Sequence, residues 1–425
     1  MLKREIGVLG LASNIVNIIL GAGIFILPPL VYHFLGPASI VAYLICGALI
    51  FTIMLCFAEI GSLFTSSGGA FYYIHEVFGD YFGFLANFLF WFGAGVLMNA
   101  ALVNAMADML QISSLPYRSV FFLVIFGGLA CINIRGVKYG NRFVIFTTFM
   151  KLIPLLLIIC FGISHITLNN LKWVANPGMD NIGNASLLLF FAFAGGEAAL
   201  NVSGEIKNPS KTIPRGILLG LTILVLIYIL IQIVSQGILG NTLPDFKDAP
   251  LSAVAQRIFG TFGVGLVLAG SIVSIFGNLS GSVLSYPRLI MSGAERDWLP
   301  KFLSFIHPRF ATPYWSIAVY TALVFIFSIS GEFKSLMIIT SATLLLIDLG
   351  VVLALIKIKL NKKMLNPNMF RLPFGITIPV VAAISILWFL AHLSSKEIFA
   401  FGIAFTVLSV IYLMMKKSAA SLSLK

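Results

Sequence analysis

The sequence predicts an all-α integral membrane protein with twelve transmembrane helices. Of its 425 residues, 59% are hydrophobic and only 10% are charged, whereas an ordinary soluble domain has about 25% charged residues. The mean hydropathy of +1.03 indicates that lipid is the relevant solvent. The 53 residues from Ile6 to Ala58 contain no Asp, Glu, Lys or Arg, and as one helix they would span about 80 Å. Because the hydrocarbon core is about 30 Å thick, this stretch must cross the membrane twice.

Each helix is assigned from a charge-poor run that ends at a turn signal or a charge. The first run follows the positive start Met1-Leu2-Lys3-Arg4, and it is too long for a secretory signal, so we expect it to be retained as helix 1. No connection is long enough for a separate domain, and residues 1–425 are predicted to form one membrane domain. The twelve predicted helices cover residues 6–32, 39–64, 82–110, 118–134, 142–164, 184–204, 214–236, 258–286, 314–331, 335–357, 373–393 and 397–415.

The distribution of positive charge supports the even helix count. With the N-terminus on the cytoplasmic side, twenty of the 27 Lys and Arg residues fall in inside segments, six fall in outside segments, and Lys151 alone remains within a helix. Positive residues concentrate on the cytoplasmic side of membrane proteins. The net charge of +12 therefore indicates topology, with both termini cytoplasmic in a plasma or inner membrane, and not a nucleic-acid partner.

Two predicted helices carry glycine pairs near their middle: Gly21 and Gly23 in helix 1, and Gly195 and Gly196 in helix 6. Glycine permits non-helical backbone, and freed backbone groups at membrane depth persist only where they line a cavity or are buried in protein. Two breaks five helices apart predict an inverted repeat. Its halves cover residues 6–164 (helices 1–5) and 184–357 (helices 6–10), with helices 11 and 12 over 373–415. Alternatively, the small residues only let helices pack closely.

A pair of broken helices can bind a small zwitterion. The exposed N–H groups of one half-helix attract a carboxylate, and the C-terminal carbonyls of another accept from an ammonium. An amino acid presents both groups at once.

Four sequence motifs, in order, carry a resemblance to a known family. They are the run Gly21-Ala22-Gly23-Ile24-Phe25, the run Ser67-Gly68-Gly69-Ala70-Phe71-Tyr72-Tyr73, the pair Glu205-Ile206-Lys207-Asn208-Pro209 and Ile213-Pro214-Arg215, and Arg288 followed by Arg296-Asp297-Trp298-Leu299-Pro300, with Trp298 where glycine is usual. Over predicted helices 1 to 10 the sequence resembles the amino acid-polyamine-organocation (APC) superfamily of permeases. The resemblance implies a leucine-transporter-type fold and alternating-access transport.

The resemblance also implies a substrate site. The N–H groups of Gly21, Ala22 and Gly23 would hold the substrate carboxylate. Carbonyls near Ile19, Phe191 and Ala194 would hold its ammonium. Phe191 matches an aromatic position that closes over the substrate in relatives, although it is also one Phe among 38.

Lys151 lies nine residues beyond Arg142, about 13 Å along helix 5 and near the membrane midplane. A lysine there costs about 2.5–3.5 kcal/mol on insertion scales, so we expect it to face the protein interior. It matches a helix 5 lysine that replaces a sodium ion in sodium-independent APC relatives, which implies proton coupling. The alternative is a static positive group that bridges helix 5 to the carbonyls freed in helix 1.

Two acidic residues also lie at membrane depth. Glu197 directly follows the helix 6 glycines and is predicted to take part in proton coupling, or else to cap loose backbone donors. Asp348 lies nine residues before Lys357 in helix 10; it is a functional candidate for which the resemblance supplies no precedent.

The predicted function is secondary active transport of amino acids, proton-coupled and sodium-independent. Relatives that take arginine stack it on a helix 8 tryptophan, and Phe276-Gly277-Asn278-Leu279-Ser280-Gly281-Ser282 has none, so a neutral or apolar substrate is favoured. An exchanger or exporter on the same fold is the alternative, and a non-transporting nutrient receptor is a remote one. The chain lacks HExxH and GxSxG motifs, so we expect no enzyme activity, metal or cofactor. The expected partners are the amino acid, protons and membrane lipid, in a monomer or homodimer.

Overall fold

The structure, a computed structural model, describes residues 4–21, 23–64, 68–173, 177–246, 249–330, 333–361, 370–391 and 395–422. Within these ranges the chain is helical, apart from short connections and one isolated parallel bridge between Ile6 and Ile206. The described α-helices are α1 (Val8–Ile19), α2 (Gly23–Leu35), α3 (Ser39–Leu63), α4 (Ala70–Phe78), α5 (Asp80–Phe88), α6 (Met98–Met109), α7 (Leu115–Ile134), α8 (Val137–Gly162), α9 (Met179–Phe193), α10 (Pro209–Leu239), α11 (Pro250–Phe259), α12 (Thr261–Ser285), α13 (Pro287–Glu295), α14 (Tyr314–Ser330), α15 (Phe333–Leu360), α16 (Thr377–Leu390) and α17 (Ser395–Leu422).

Several helices continue into tighter or wider turns. A π-helix over Leu89–Leu97 joins α5 to α6, so the three form one helical rod. A 3-10 helix over Gly196–Glu205 follows α9 after a short break. Further 3-10 turns are Gly36–Ala38, Ile163–His165, Leu168–Leu171, Gly240–Asp245 and Lys301–Ser304.

The chain is a multi-pass membrane protein by the length and composition of its helices. Among the described residues, six helical stretches are long and apolar enough to cross a bilayer. They are Gly23–Leu63, Asp80–Met109, Leu115–Ile134, Val137–His165, Pro209–Asp245 and Thr261–Glu295. Some of the other predicted spans are divided into shorter pieces, as helix 1 is into α1 and α2, so helix length alone does not count them. The number twelve and the inverted repeat remain predictions.

The observed helix boundaries differ from the predicted ones at positions where a proline begins a helix or a glycine separates two helices. Predicted helix 7 begins at residue 214, but α10 begins at Pro209, because proline is favoured in a first helical turn, where its missing N–H has no intrahelical acceptor. Predicted helix 8 begins at residue 258, but Gly260, with φ of 64°, separates α11 from α12. The short helices α4 and α13 were not predicted, because both lie in segments that were assigned to connections.

The burial of α1 and α7 shows which helices lie at the centre. Ten of the twelve residues of α1 are buried, including its polar Asn14 and Asn17. By contrast, only Phe122, Phe126, Leu129 and Asn133 are buried in α7, although its exposed side chains are mostly apolar. A helix that is apolar and exposed suits contact with lipid, and a helix buried on all sides must be held by other helices. We therefore treat α1 as a central helix and α7 as a peripheral one.

Polar side chains and glycines fix α1 against its neighbours. Asn17 Nδ2 donates to Val144 O of α8 at 2.6 Å, and Asn14 Nδ2 donates to Ser285 Oγ of α12 at 2.9 Å. On α10, an added Cβ at Gly216 would lie 2.7 Å from Leu11, so this glycine lets the two helices approach closely. Small residues and interhelical hydrogen bonds stabilise helix pairs in membranes, where lipid removes the hydrophobic driving force.

Candidate functional site

The first break lies between α1 and α2 and comprises Leu20 and Gly21; Ala22, the next residue, lies outside the described residues. Helix α1 ends at Ile19, and Leu20 leaves the helical region with ψ of 76°. Gly21 N donates to Ile19 O at 2.8 Å, which makes a tight local turn. Gly23 then starts α2 and packs on Ala192, whose Cβ would lie 3.0 Å from an added Cβ.

The four carbonyl groups from Asn17 to Leu20, at the C-terminal end of α1, lack partners within an α-helix, as at every helix C-terminus. At the first break each of them has a side-chain hydroxyl, amide or ammonium next to it, from α8, α10 or α12. Lys151 Nζ donates to Asn17 O at 3.1 Å and to Leu20 O at 2.6 Å. Ser274 Oγ adds a 2.8 Å bond to Leu20 O, and Asn278 Nδ2 donates to the oxygen of the intervening Ile18.

Tyr228 of α10 contacts both breaks. The second break comprises Ala194 and Gly195, between α9 and the 3-10 helix Gly196–Glu205. The Tyr228 hydroxyl donates to Ala192 O at 2.9 Å, two residues before the second break, and lies 3.5 Å from Ile19 O at the first. The two breaks are therefore adjacent and share a polar contact.

The backbone of the second break requires glycine. Ala194 is extended, with ψ of 161°, and Gly195 has φ of 103°, a left-handed conformation that side chains rarely adopt. Ala194 N still donates to Phe190 O at 2.9 Å, which closes α9. Gly195 N donates to Glu197 Oε2 at 3.2 Å, so the acidic side chain holds the first turn after the break. An added Cβ at Gly196 would lie 2.6 Å from Ile19, which again joins the two breaks.

Those predicted substrate residues that the structure describes thus lie at two adjacent breaks. Ile19, Gly21 and Gly23 lie at the first break, and Ala194 lies at the second. Ala22 and the side chain of Phe191 lie outside the described residues. Whether these groups bind a substrate remains a prediction.

Lys151 is fully buried, with 0% of its surface exposed. Its neighbour on α12 is Gly277, where an added Cβ would lie 2.8 Å from Lys151 Cε and would clash with Asn17 Oδ1. Among the described residues no carboxylate lies within ion-pair distance of the Lys151 ammonium. Its positive charge is therefore held by main-chain carbonyls, in the manner of a cation at a helix C-terminus.

Glu197 and Asp348 are also buried, each with 1% of its surface exposed. Both oxygens of Asp348 and Oε1 of Glu197 have no hydrogen-bond partner in the described part of the chain. They are two of several described side chains with an unpaired buried oxygen or nitrogen, although most buried polar groups in proteins are paired.

Two ion pairs hold the far ends of these helices, and both contain a cation that was assigned to a connection from the sequence. Arg288 was assigned to an inside connection, but it lies in α13 with 0% exposure and binds Glu205 through two bonds of 3.0 and 3.2 Å. Lys359 of α15, also assigned to a connection, lies 2.7 Å from the carboxylate of Glu59 in α3. These charges act in packing as well as in topology.

Tyr228, Ser274 and Asn278 were not predicted from the sequence as partners of the first break. A signal existed for Ser274 and Asn278, which are polar residues in an apolar helix. Their partners, however, are main-chain carbonyls more than 250 residues away in the chain. No group of three or more His, Cys, Asp or Glu residues suited to a metal ion occurs among the described residues.

Comparisons with known proteins identify a matching family and several similar proteins. Residues 6–415 match the amino acid permease family. The chain is 35% identical over 335 residues to the serine/threonine exchanger SteT of Bacillus subtilis (strain 168), which covers 76% of each chain. It is 28% identical over 424 residues to the cystine/glutamate transporter of Homo sapiens, covering 96% of this chain and 83% of that one. It is 25% identical over 453 residues to the methylthioribose transporter of Bacillus subtilis (strain 168), covering 99% and 95%.

Proposed function

The chain belongs to the amino acid permease family of the APC superfamily, and from this premise we propose that it transports neutral amino acids by alternating access, coupled to protons and independent of sodium. The observation that carries the proposal is the position of Lys151. Its ammonium binds Asn17 O and Leu20 O, the carbonyls that a helix break frees and that would otherwise suit a metal cation. A lysine that already fills this place removes the need for sodium.

Lys151 is also the first of two proposed proton-coupling residues. Burial disfavours the charged form of an amine, so an ammonium held only by carbonyls can lose its proton when those carbonyls move. Glu197 is the second proposed coupling residue, because its carboxylate holds Gly195 N at the second break. Movement of either break would thus change the surroundings of one ionisable group.

The proposed substrate site uses the backbone of both breaks. The N–H groups of Gly21, Ala22 and Gly23 hold the carboxylate, aided by the positive end of α2, and carbonyls near Ile19, Phe191 and Ala194 hold the ammonium. The turn bond from Gly21 N to Ile19 O, 2.8 Å long, opens as the substrate carboxylate replaces that acceptor.

The proposed architecture is that of a twelve-span transporter with an internal repeat. We propose twelve spans, with residues 6–164 and 184–357 as inverted repeats, both termini in the cytoplasm and the protein in the plasma membrane. The bias of Lys and Arg toward one side supports this topology.

Uptake into proteoliposomes tests the function. The purified protein takes up radiolabelled serine under an inward proton gradient or an inward sodium gradient, and the variants Lys151→Ala and Lys138→Ala are compared. Lys138 is a matched control because it is an exposed lysine in the first turn of the same helix, α8. We expect the proton gradient alone to drive uptake, and Lys151→Ala alone to abolish it. Uptake that needs sodium and ignores both pH and Lys151→Ala would overturn the proposal.

The substrate is best identified by thermal shift. The relative named for serine and threonine supports a neutral substrate. A ligand at 100 times its Kd stabilises the state it binds by about 2.7 kcal/mol, so a screen of the twenty amino acids in detergent separates substrates from non-substrates. Stabilisation by lysine or arginine alone would contradict the neutral class.

A second candidate function is exchange, since a relative with 35% identity is named an exchanger. Counterflow distinguishes the two. An exchanger takes up labelled serine only into vesicles preloaded with an amino acid, whereas a symporter also fills empty vesicles.

A further inference from the structure

A groove with a volume of about 500 Å³ lies between α3, α9 and α16, and we call it the α9 groove. Its volume is within the range of small-molecule sites, about 300–1,000 Å³. Thirteen residues line it and all of them are uncharged. Ten are apolar residues or glycine, and the other three are Thr52, Ser186 and Ser385. The groove is therefore suited to an apolar ligand with few polar atoms.

The α9 groove opens on a surface of the protein that contacts lipid. At its edge, Ile45 of α3 is 43% exposed and Ile384 of α16 is 62% exposed, and the ring of Trp388 is also exposed. Exposed apolar side chains continue along α16 with Val380 and Leu387. In a multi-pass membrane protein, an apolar helix face that other helices leave exposed is in contact with the hydrocarbon of the bilayer. The groove is continuous with that face.

An empty groove of this size is unfavourable in a bilayer. Protein interiors are closely packed, and a wall without partner atoms loses its dispersion energy. Water does not replace those atoms, because an ordered water molecule needs two to four polar partners and the groove is mostly apolar. The bilayer presents acyl chains along the whole of the lipid-facing surface, at a far higher concentration than any other apolar molecule. These conditions favour an acyl chain as the occupant.

One polar group among the lining residues lacks a partner. Ser186 is 1% exposed, and its hydroxyl has no hydrogen-bond partner among the described residues, although its main-chain oxygen accepts from Cys46 Sγ at 2.9 Å. A serine hydroxyl turns about a single bond, and it can donate to one oxygen atom of a ligand. The ester carbonyl of a phospholipid is such an acceptor, and it is attached directly to the acyl chain.

The depth of the groove suits an ester carbonyl. Ser186 lies two residues after the predicted start of helix 6 at residue 184, and Trp388 lies five residues before the predicted end of helix 11 at residue 393. In the proposed topology both of these helix ends are on the outer side of the membrane. Ester carbonyls lie at the boundary between headgroups and acyl chains, and tryptophan is enriched at the same level.

The groove also contacts the helix that leads to the second break. Helix α9 ends at Phe193, and Ser186 lies eight residues before Ala194, about 12 Å along the helix. The Trp388 ring packs on the main chain of α9, since an added Cβ at Gly183 would lie 3.1 Å from Trp388 Cη2. A ligand in the groove therefore rests against α9 and is held by α3 and α16.

We propose that the α9 groove binds one acyl chain of an ester-linked phospholipid, with an ester carbonyl of that lipid accepting from the Ser186 hydroxyl. The bound chain stabilises the observed position of α9, and movement of the second break changes the width of the groove. Lipid binding is thereby linked to transport. This link rests on the proposed function, transport by alternating access, whereas the binding of lipid does not.

Quenching of tryptophan fluorescence by brominated lipid tests the binding. The full chain is reconstituted in ether-linked phosphatidylcholine with an increasing fraction of an ester-linked phosphatidylcholine that carries bromine on one acyl chain. The difference between the wild type and Trp388→Phe isolates the signal of Trp388. Because a net hydrogen bond contributes about 0.5–1.5 kcal/mol, we expect the ester lipid to be preferred by about threefold, with half-maximal quenching at about a quarter of the lipid.

Variants show whether the preference belongs to the groove. Ser186→Ala removes the donor, and Ala48→Phe fills the groove from α3; we expect the preference to disappear in both. The control is Ala269→Phe, a matched change at an exposed alanine of α12 outside the groove, and it should keep the preference. Quenching in proportion to the fraction of ester lipid in the wild type, as from lipid that only surrounds the protein, would overturn the proposal. Preferential quenching by a brominated sterol, or none by any lipid because a second copy of the chain covers the groove, would also overturn it.

Counterflow of labelled serine tests the link to transport. A fixed phenyl ring, unlike a fluid chain, cannot adjust when the groove changes width, so we expect Ala48→Phe to lower the rate by about fivefold or more. Ala269→Phe should transport at the wild-type rate. An unchanged rate in Ala48→Phe would overturn the link between the groove and α9. If the wild type itself shows no counterflow, the proposed function fails, while preferential quenching of Trp388 still supports the lipid site.

Discussion

A methyl group at residue 277 tests whether the position of Lys151 matters to transport. Gly277 faces the Lys151 side chain from α12, and the Cβ of an alanine there would lie 2.8 Å from Lys151 Cε and 3.2 Å from Nζ. It would also clash with Asn17 Oδ1. Gly277→Ala therefore leaves every proposed functional side chain present but forces the ammonium away from Asn17 O and Leu20 O.

The size of the effect follows from three terms. Overpacking a filled site costs about 1–3 kcal/mol, and a hydrogen bond to a charged group contributes about 1.5–3 kcal/mol. Replacing glycine with alanine inside a helix returns about 1 kcal/mol. With one of the two Lys151 bonds lost, the net destabilisation is about 1.5–5 kcal/mol. Even 1.5 kcal/mol lowers the population of the competent state by about tenfold.

Counterflow of labelled serine in proteoliposomes measures this loss, and thermal melting in detergent measures the stability of the fold. The matched control is Gly265→Ala on the same helix, where an added Cβ meets nothing within 4 Å. We expect Gly277→Ala to lose at least tenfold in transport rate and Gly265→Ala to keep it, as 1.4 kcal/mol corresponds to about tenfold. Wild-type transport in Gly277→Ala would refute the assignment of Lys151 to the first break.

Two further substitutions test contacts on either side of the site. Tyr228→Phe removes the hydroxyl that bonds to Ala192 O at 2.9 Å, so we expect a loss of about 1–3 kcal/mol and weaker stabilisation by serine in thermal shift; unchanged stabilisation would contradict the contact between the breaks. Glu205→Gln leaves the Arg288 guanidinium buried with its charge unmatched, and we expect a loss of about 3–5 kcal/mol in thermal melting. The control is Glu295→Gln, an acid on α13 without an ion pair among the described residues, and equal melting of the two variants would contradict the role of the Glu205 pair.

The features that the sequence predicts well are those that depend on local chemistry. Glycine pairs in apolar runs predicted the breaks at Gly21 and Gly195, because no other residue type relieves the backbone at membrane depth so readily. The cost of a midplane lysine predicted that Lys151 would be buried, and it is fully buried.

The features that the sequence does not predict depend on contacts between distant segments. Asn278 and Ser274 bind carbonyls of the first break from a helix more than 250 residues away, and no local pattern marks a main-chain partner. The charge bias identified Arg288 as a topological charge, because a side chain near a predicted loop gives no sign that Glu205 lies opposite it. Asp348 was noticed for its depth, but only the fold shows that neither of its carboxyl oxygens has a hydrogen-bond partner among the described residues.

The measurement that bears most directly on proton-coupled transport follows the internal pH of proteoliposomes while a neutral amino acid enters. Serine is added outside vesicles that have no initial gradient of protons or sodium, and a trapped dye reports pH with the membrane potential clamped. Coupled transport predicts acidification of the interior with serine, none with Lys151→Ala, and a wild-type response with the α8 control Lys138→Ala. Entry of labelled serine without any change of internal pH would contradict it.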